Sequence, residues 1–351
     1  MKQIAKWSLL CAMLLLVGCQ KASKEEDKSS FTFLMGEKTP LWEFVKTAED
    51  REHLEQLGAV YTQNEPCKAD LHHESKVPKV IHFIWVGPRS FPQESIGNVS
   101  AWVQHHPDYT CKFWTDRVRP LPHPKMELHL INKGDFDFFE VAYQESDNFA
   151  EKSDLLRYEL LYREGGIYVD HDVQCFKPFS ELTTQYDLFC GIEPPHAPVM
   201  SSSISICNNL IGVRPFHPVM KETIDRVLER WQEVAEMFPA KDNQSVIYRI
   251  AHRTFSPFDE AFRAKNNQLG RKDIALPTAF FNKIGDQFGF FSHHYYASTW
   301  FENEPKFEKL TRRRLVKICK KNNQILMLNG VILMLNLVLI IFLIQQRRTA
   351  K

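Results

Sequence analysis

Two aspartates that flank one histidine are the residues of this chain best suited to chemistry. Asp170 and Asp172 follow the apolar run 167–169 in the stretch GGIYVDHDVQ, with His171 between them. The run predicts a buried strand, and open α/β sheets bind their ligands at the carboxyl ends of strands. Two neighbouring carboxylates repel each other unless a positive charge lies close to both. The pattern therefore predicts a catalytic oxygen site for Mn²⁺ or Mg²⁺.

The segments around this pair alternate between strand and helix. Apolar runs bounded by turn residues predict strands over 77–88, 111–116, 186–193 and 203–215. Apolar residues at helical spacing predict helices over 40–57, which Gly58 would end, and over 149–166 and 217–238. The alternation predicts an α/β fold with a mostly parallel sheet between helices.

Composition narrows the classes of function. The chain has 44 basic and 43 acidic residues and a net charge of +1, which argues against a nucleic-acid binder that relies on bulk charge. None of the eight cysteines has CxxC spacing, so a zinc site is not expected. Buried free cysteines are the preferred interpretation, although an even number in an exported chain also permits disulfides.

Both ends of the chain differ from the centre. Residues 1–19 have the pattern of a signal peptide with a lipoprotein-type processing site before Cys19, and an uncleaved short anchor is the alternative. Residues 20–39 predict a flexible tether, 40–76 a helical preface and 77–310 the main domain. The uncharged apolar stretch at the other end predicts a transmembrane helix over 323–345 and hence a membrane-associated protein.

Four blocks of the central domain carry a resemblance to a known family. They are VPKVIHFIWVG, PDYTCKFWTD, EKSDLLRYELLYREGGIYVDHDV and, more loosely, HHYYASTW. In these blocks the chain resembles the glycosyltransferases with a DXD sugar-binding region, the α-1,6-mannosyltransferase-like enzymes of family 32. It is distantly similar to the catalytic domains of large clostridial glucosylating toxins. The resemblance implies a GT-A fold, a divalent metal, a UDP- or GDP-hexose donor, and transfer to a glycan, lipid or protein hydroxyl with retention of configuration.

The resemblance also implies roles for single residues. Trp85 matches an aromatic residue that stacks on the donor base, and a plain core tryptophan is the alternative. Asp154 and Arg157 match a pair that holds sugar hydroxyls and phosphate, although one helical turn apart they could form only an ion pair. Tyr168 would line the donor pocket, and Gly166 would take part in donor binding by allowing close backbone approach, with the simple end of a helix as the alternative.

The late block adds candidates and one departure. Ser298 and Trp300 match the family's donor-contacting motif, and His293 or His294 would complete the metal shell, with a solvated loop as the alternative. An imidazole ligand favours Mn²⁺ over Mg²⁺. The stretch TFSPF at 254–258 replaces a Thr-Gly-Pro turn of the family's acceptor region, so acceptor identity does not carry over.

Two other functions remain open at the level of sequence. One is a membrane-tethered sugar- or nucleotide-binding protein without turnover. The other is a haloacid-dehalogenase-type phosphotransferase, which also places Asp-x-Asp after an apolar strand. Its later acidic motif has only one candidate here, GDQFGF at 285–290, and that stretch lacks the second acidic residue.

Overall fold

A seven-stranded sheet forms the centre of the computed structural model, which describes residues 29–66, 74–240, 242–284 and 289–297. Its strands lie in the order β3-β2-β1-β4-β7-β6-β8, and β5 pairs with β9 in a separate two-stranded ladder. The strands are β1 (Val80–Ile84), β2 (Thr110–Thr115), β3 (Glu127–Leu130), β4 (Gly166–Val169), β5 (Val173–Cys175), β6 (Leu188–Ile192), β7 (Ile206–Val213), β8 (Asp273–Leu276) and β9 (Ser292–His294).

The strand directions confirm the mostly parallel sheet expected of a GT-A-like α/β fold. The pairs β1–β2, β1–β4, β2–β3 and β6–β8 are parallel. Strand β7 runs antiparallel to both of its neighbours, β4 and β6. As a result, β4 lies between the parallel strand β1 and the antiparallel strand β7, and the residue that follows β4 is flanked by both.

Helices cover both faces of the sheet. They are α1 (Phe31–Leu34), α2 (Ala48–Asn64), α3 (Ile96–His105), α4 (Glu140–Glu145), α5 (Phe149–Arg163), α6 (Ser180–Gln185), α7 (Pro218–Met237), α8 (Asn243–Ile250) and α9 (Ser256–Lys265). A π-helical turn, Ala251–Phe255, joins α8 to α9, and short 3-10 turns cover Pro40–Phe44, Gln93–Ser95, Lys133–Asp135, Gln268–Gly270 and Thr278–Phe280.

The alternation of side chains along β4 divides the core into two apolar clusters. Tyr168 packs into one cluster with residues of α5, α7 and α9, whereas Ile167 and Val169 pack into the other with residues of α3 and α6. Successive side chains of a strand point to opposite faces, so a strand covered on both faces is apolar throughout. Because both faces of the sheet are covered, β4 is completely buried. The residues that follow it, Asp170 and His171, are partly exposed to solvent.

The helical preface packs against the sheet as part of the same compact unit, which ends at Ala297. Asn64 at the end of α2 donates to the main-chain oxygen of Asp273 in β8, at 2.8 Å. Both bounds of the helix predicted over 40–57 are wrong, because Pro40–Phe44 form a separate 3-10 turn and α2 begins at Ala48 and runs through Gly58 to Asn64. Packing of Leu57 and Tyr61, both buried, outweighs the cost of about 1 kcal/mol for a glycine inside a helix.

The predicted transmembrane helix and the membrane localisation that followed from it must be corrected. None of the helices in the described ranges has both the length and the apolar character needed to cross a bilayer. The predicted segment, 323–345, lies outside those ranges, as do the leader over 1–19, the first part of the tether, Ser298 and Trp300. Over the described ranges the architecture is that of an α/β domain with its helical preface.

Candidate active site

Asp170 and Asp172 lie in a tight turn between β4 and β5. The main-chain nitrogen of Asp170 donates to the main-chain oxygen of Asn209 in β7, at 2.8 Å, and that of Val173 donates back to Asp170, at 3.1 Å. This turn leaves the Asp170 side chain 27% exposed, whereas Asp172 is buried. The predicted position at the carboxyl end of a buried strand is confirmed, and one carboxylate of the pair faces solvent more than the other.

His294 completes a three-residue cluster with the two aspartates. The β5–β9 ladder places His294 opposite Val173, and its Nε2 lies 3.3 Å from Oδ1 of Asp172. Potential ligand atoms of Asp170, Asp172 and His294 all lie within 4.8 Å of one another. His293 projects from the other side of β9 and packs edge-on against Tyr295, with ring centroids 4.7 Å apart. Of the two histidines considered, His294 lies in this cluster and His293 does not, and metal binding by His294 stays a prediction.

The electrostatics of the cluster favour an ionised carboxylate. Burial acts to raise the pKa of Asp172, but His294 and the main-chain N–H of Ala297, which donates at 2.6 Å, hold that pKa well below its usual range. Burial acts to lower the pKa of His294, and the neighbouring Asp172 raises it overall. Two carboxylates and one imidazole at this spacing have the chemistry and geometry to hold a divalent cation.

The buried guanidinium of Arg157 orients the side chain of Asp170 from the interior of the protein. Its Nη2 lies 3.1 Å from Oδ1 of Asp170 and 2.8 Å from Oδ1 of Asp154, and its Nη1 donates to the main-chain oxygen of Asn208 at 2.6 Å. The Cζ atom of Arg157 lies over the ring of Tyr168, 4.0 Å from its centroid, and the hydroxyl of Tyr168 donates to the same Asp170 oxygen at 2.6 Å. Asp170 is thus held by two donors, Arg157 and Tyr168, that both come from the protein interior.

Asp154 lies one layer deeper than Asp170. Its side chain and that of Arg157 are each only 4% exposed, so the pair is not an ordinary surface ion pair. The hydroxyl of Thr254 donates to Oδ2 of Asp154 at 2.6 Å, and Thr254 belongs to the π-helical turn. Burial raises the pKa of Asp154, and the charge of Arg157 opposes that shift. A contact of Asp154 with donor hydroxyls stays a prediction, since its oxygens already have partners within the protein.

Trp85 follows β1 and lines the turn that carries the aspartates. It is 9% exposed, its Nε1 donates to the main-chain oxygen of Arg89 at 3.0 Å, and its ring packs edge-on against His171 with centroids 5.0 Å apart. The hydroxyl oxygen of Ser95 lies 2.8 Å from Nδ1 of His171 and is hydrogen-bonded to it. Trp85 is therefore both part of the core and a neighbour of the acidic turn, and base stacking stays a prediction.

The glycine pair before β4 has a backbone role that the structure makes explicit. Gly165 and Gly166 have φ values of +66° and +94°, and a Cβ on Gly166 would lie 2.6 Å from the main-chain oxygen of Val80. Only glycine avoids strain at such φ values and permits this approach of β1 to β4. Gly166 lies at the opposite end of β4 from Asp170, and its predicted donor contact stays a prediction.

Sequence reasoning missed two adjacent asparagines in the middle of β7. Asn208 donates from Nδ2 to the hydroxyl of Tyr158 at 3.1 Å, and Asn209 places its Nδ2 2.6 Å from Nδ1 of His294. Both are buried. The signal was present as NN inside the apolar run ICNNLIGV, because two amides in a buried strand need specific partners.

Comparison with known proteins finds a family model that matches part of the chain. Residues 92–189 match the family model described as the glycosyltransferase sugar-binding region containing the DXD motif. The predicted resemblance is confirmed. The matched sugar-binding region contains Asp154, Arg157, Tyr168 and both aspartates of the turn, whereas Trp85 and His294 lie outside it.

Curated relatives are similar to part of the chain. A segment of 169 residues is 30% identical to the "Subversion of eukaryotic traffic protein A" of Legionella pneumophila. This match covers 44% of this chain and 25% of that protein. A segment of 153 residues is 26% identical to "Inositol phosphoceramide mannosyltransferase 3" of Schizosaccharomyces pombe, covering 44% of this chain and 38% of the relative. The chain thus spans well under half the length of these curated relatives.

Solved structures give a looser likeness. The structure named "PaToxG Glycosyltransferase" is 17% identical and overlaps 62% of this chain and 78% of its own, with a TM-score of 0.41. The predicted similarity to glycosyltransferases is confirmed for residues 92–189, and a segment of the chain is similar to a mannosyltransferase.

Proposed function

We propose that this protein is a metal-dependent glycosyltransferase that moves a hexose from a UDP- or GDP-linked donor to an acceptor hydroxyl. The observation that carries the proposal is the cluster of Asp170, Asp172 and His294, whose potential ligand atoms lie within 4.8 Å of one another. The match of residues 92–189 to a glycosyltransferase sugar-binding region supports the same chemistry.

The donor set of the cluster suits a divalent cation, which when bound would neutralise the negative charge that a nucleoside diphosphate gains as its bond to the sugar breaks. The protein's part is to hold the ligands in place. Asp172 accepts from the Ala297 N–H through Oδ2 and faces His294 through Oδ1. Arg157 and Tyr168 fix the orientation of Asp170. Ligands that do not reorganise keep the electrostatic stabilisation available throughout the reaction.

The donor base would lie against Trp85, on the side of the acidic turn formed by residues 170–172. Trp85 contacts His171 in that turn, so an aromatic face and the carboxylates border the same region. Phe91 also packs edge-on against His171 and helps to keep it in place. For the acceptor we propose only the class, a hydroxyl of a glycan, lipid or protein, and for the stereochemistry the retention that the resemblance implies.

The proposal is tested by measuring sugar transfer and slow donor hydrolysis with a panel of UDP- and GDP-hexoses in the presence of Mn²⁺. Asp172→Asn removes one anionic ligand and should lower turnover by about a hundredfold or more. Asp187→Asn is the matched control: Asp187 is equally buried but pairs with Lys76 and Arg214 at the start of β6.

The control variant should lose stability and keep its turnover within a few-fold of wild type. Near wild-type turnover in Asp172→Asn with unchanged Mn²⁺ dependence would show that the cluster does not serve the reaction. Tight binding of a nucleotide sugar without any hydrolysis or transfer across the panel would instead favour a binding protein.

A further inference from the structure

Asn209 contacts two of the three candidate metal ligands. Its main-chain oxygen accepts the N–H of Asp170 at 2.8 Å, and its side-chain Nδ2 lies 2.6 Å from Nδ1 of His294. The residue lies inside β7 and is only 5% exposed. An amide at this depth is costly to bury unless its groups have hydrogen-bond partners, so its position calls for a specific explanation.

The proton on the His294 ring decides whether the ring can act as a ligand. A neutral imidazole has one N–H donor and one acceptor nitrogen. If Nδ2 of Asn209 donates to Nδ1, the ring proton lies on Nε2, which faces Oδ1 of Asp172 at 3.3 Å. In that tautomer Nε2 has no lone pair to offer a cation.

The opposite orientation of the amide removes this conflict. Oδ1 of Asn209 is buried and accepts no hydrogen bond from the described residues. A half-turn of the amide exchanges Oδ1 and Nδ2 within the same volume. Oδ1 then accepts a proton carried on Nδ1 of His294, and the lone pair of Nε2 points at the carboxylates.

We propose that Asn209 is a positioning residue that selects the His294 tautomer able to bind a divalent cation. This inference rests on the proposed function. Ligating histidines in proteins donate their second N–H to an oxygen acceptor, and loss of that acceptor lowers metal affinity by about 10- to 100-fold. The amide oxygen of Asn209 provides that acceptor here, and its backbone at the same time holds Asp170.

The test is a double-mutant cycle on Mn²⁺ affinity, measured on the full chain without nucleotide by the electron paramagnetic resonance signal of free Mn²⁺. Asn209→Leu and His294→Ala should each weaken Mn²⁺ binding by about 10- to 100-fold. Because Asn209 acts through the imidazole, Asn209→Leu should cause no further loss in the His294→Ala background. Asn64→Leu, the same change at a buried asparagine bonded to Asp273 in β8, should leave Mn²⁺ affinity unchanged.

The cycle separates this inference from the proposed function. Suppose that wild type binds Mn²⁺ and that Asp172→Asn abolishes this binding. If Asn209→Leu then has no effect on Mn²⁺ affinity, or has the same effect in the wild-type and His294→Ala backgrounds, the role of Asn209 is overturned and the proposed function stands. If wild type does not bind Mn²⁺, both fail. Should Asn209→Leu not fold, Asn209→Asp decides: its carboxylate can only accept, so Mn²⁺ affinity at least equal to wild type is expected, and a tenfold loss overturns the inference.

Discussion

Arg157 forms hydrogen bonds and ion pairs with several buried polar groups of the site. Its guanidinium contacts Asp154, Asp170 and the hydroxyl of Tyr168. A lysine ammonium keeps the charge but cannot reproduce the planar fork of donors. Arg157→Lys should therefore lower turnover at least about tenfold, because Asp170 loses a defined orientation.

Arg253→Lys provides the matched control for that substitution. Arg253 is equally buried and pairs with Glu151, which lies on α5 as Asp154 does, at 3.3 Å. It does not reach the acidic turn. Steady-state turnover and thermal unfolding of both variants should show comparable losses of stability but a large loss of turnover only for Arg157→Lys. Equal turnover in the two variants would reduce Arg157 to a packing role.

Trp85 combines a structural role with the proposed donor-binding role, and substitution can separate them. Trp85→Leu should weaken binding of the bare nucleoside diphosphate by about 1–3 kcal/mol if the indole stacks on the base. Trp231→Leu removes another buried indole whose Nε1 is hydrogen-bonded, to Glu145 at 2.8 Å, and should leave nucleotide affinity of the folded protein unchanged. Isothermal titration with UDP and GDP measures both. The same affinity in the two variants would make Trp85 a core residue only.

At the level of secondary structure, the closeness of β1 and β4 depends on Gly166. Gly166→Ala would place a Cβ 2.6 Å from the Val80 oxygen at a φ of +94°, and should lower the free energy of unfolding by more than about 2 kcal/mol. A Cβ added to Gly97 in α3 would meet no neighbouring group within 4 Å, so Gly97→Ala should be neutral or stabilise by about 0.5–1 kcal/mol. Urea unfolding of both variants checks the contrast, and a neutral Gly166→Ala would contradict it.

The β5–β9 ladder has an equally specific consequence for the site. It is only three residues long on each strand, yet it sets His294 beside Asp172 and brings the Ala297 N–H to the same carboxylate. Without this pairing the aspartates would lack both their imidazole neighbour and a backbone donor. The candidate metal site is therefore built from two elements that are far apart in the chain.

For the whole molecule, the buried position of His82 predicts how the free energy of unfolding depends on pH. Its Nδ1 accepts from Nε1 of Trp114 at 3.1 Å and its Nε2 donates to the Gly165 oxygen at 2.9 Å, so the neutral ring is fully hydrogen-bonded inside the sheet. Burial lowers the pKa of His82 to about 4, against the attraction of Glu164 and together with the repulsion of Lys112. The folded state therefore takes up the proton at lower pH than the unfolded state.

The sign of the effect follows from that difference. Since the unfolded histidine has a pKa of about 6.5, the unfolded state binds more protons between about pH 6.5 and 4, and stability falls as the pH is lowered through this window. A loss of about 2 kcal/mol between pH 7 and 5 is expected from His82. His82→Gln should be less stable at pH 7 but lose less on acidification. Urea unfolding at both pH values measures this, and equal pH dependence of the two proteins would contradict the assignment.

The sequence alone supports the local part of this picture. The strand before Asp170, the helices over 149–166 and 217–238 and the long strand around 203–215 were predicted from apolar periodicity, because burial acts on each segment in much the same way in any α/β domain. The structure confirms them as β4, α5, α7 and β7, with bounds that differ from the predicted ones by at most three residues. Strands β3 and β8 were not predicted: β3, ELHL, is largely exposed and so lacks an apolar run, and β8, DIAL, begins with an aspartate.

Only the tertiary structure decided which residues meet. Asp172 and the Ala297 nitrogen lie 125 positions apart in the chain, and Asn209 and His294 lie 85 positions apart, so no local pattern could have paired them. The choice of His294 over His293 depends on the pairing register of β9, since neighbouring residues of a strand face opposite sides. Helical spacing alone left open whether Asp154 and Arg157 form a surface pair or a buried pair. The sheet that packs against α5 buries them, because long-range hydrophobic burial sets the environment of a charge.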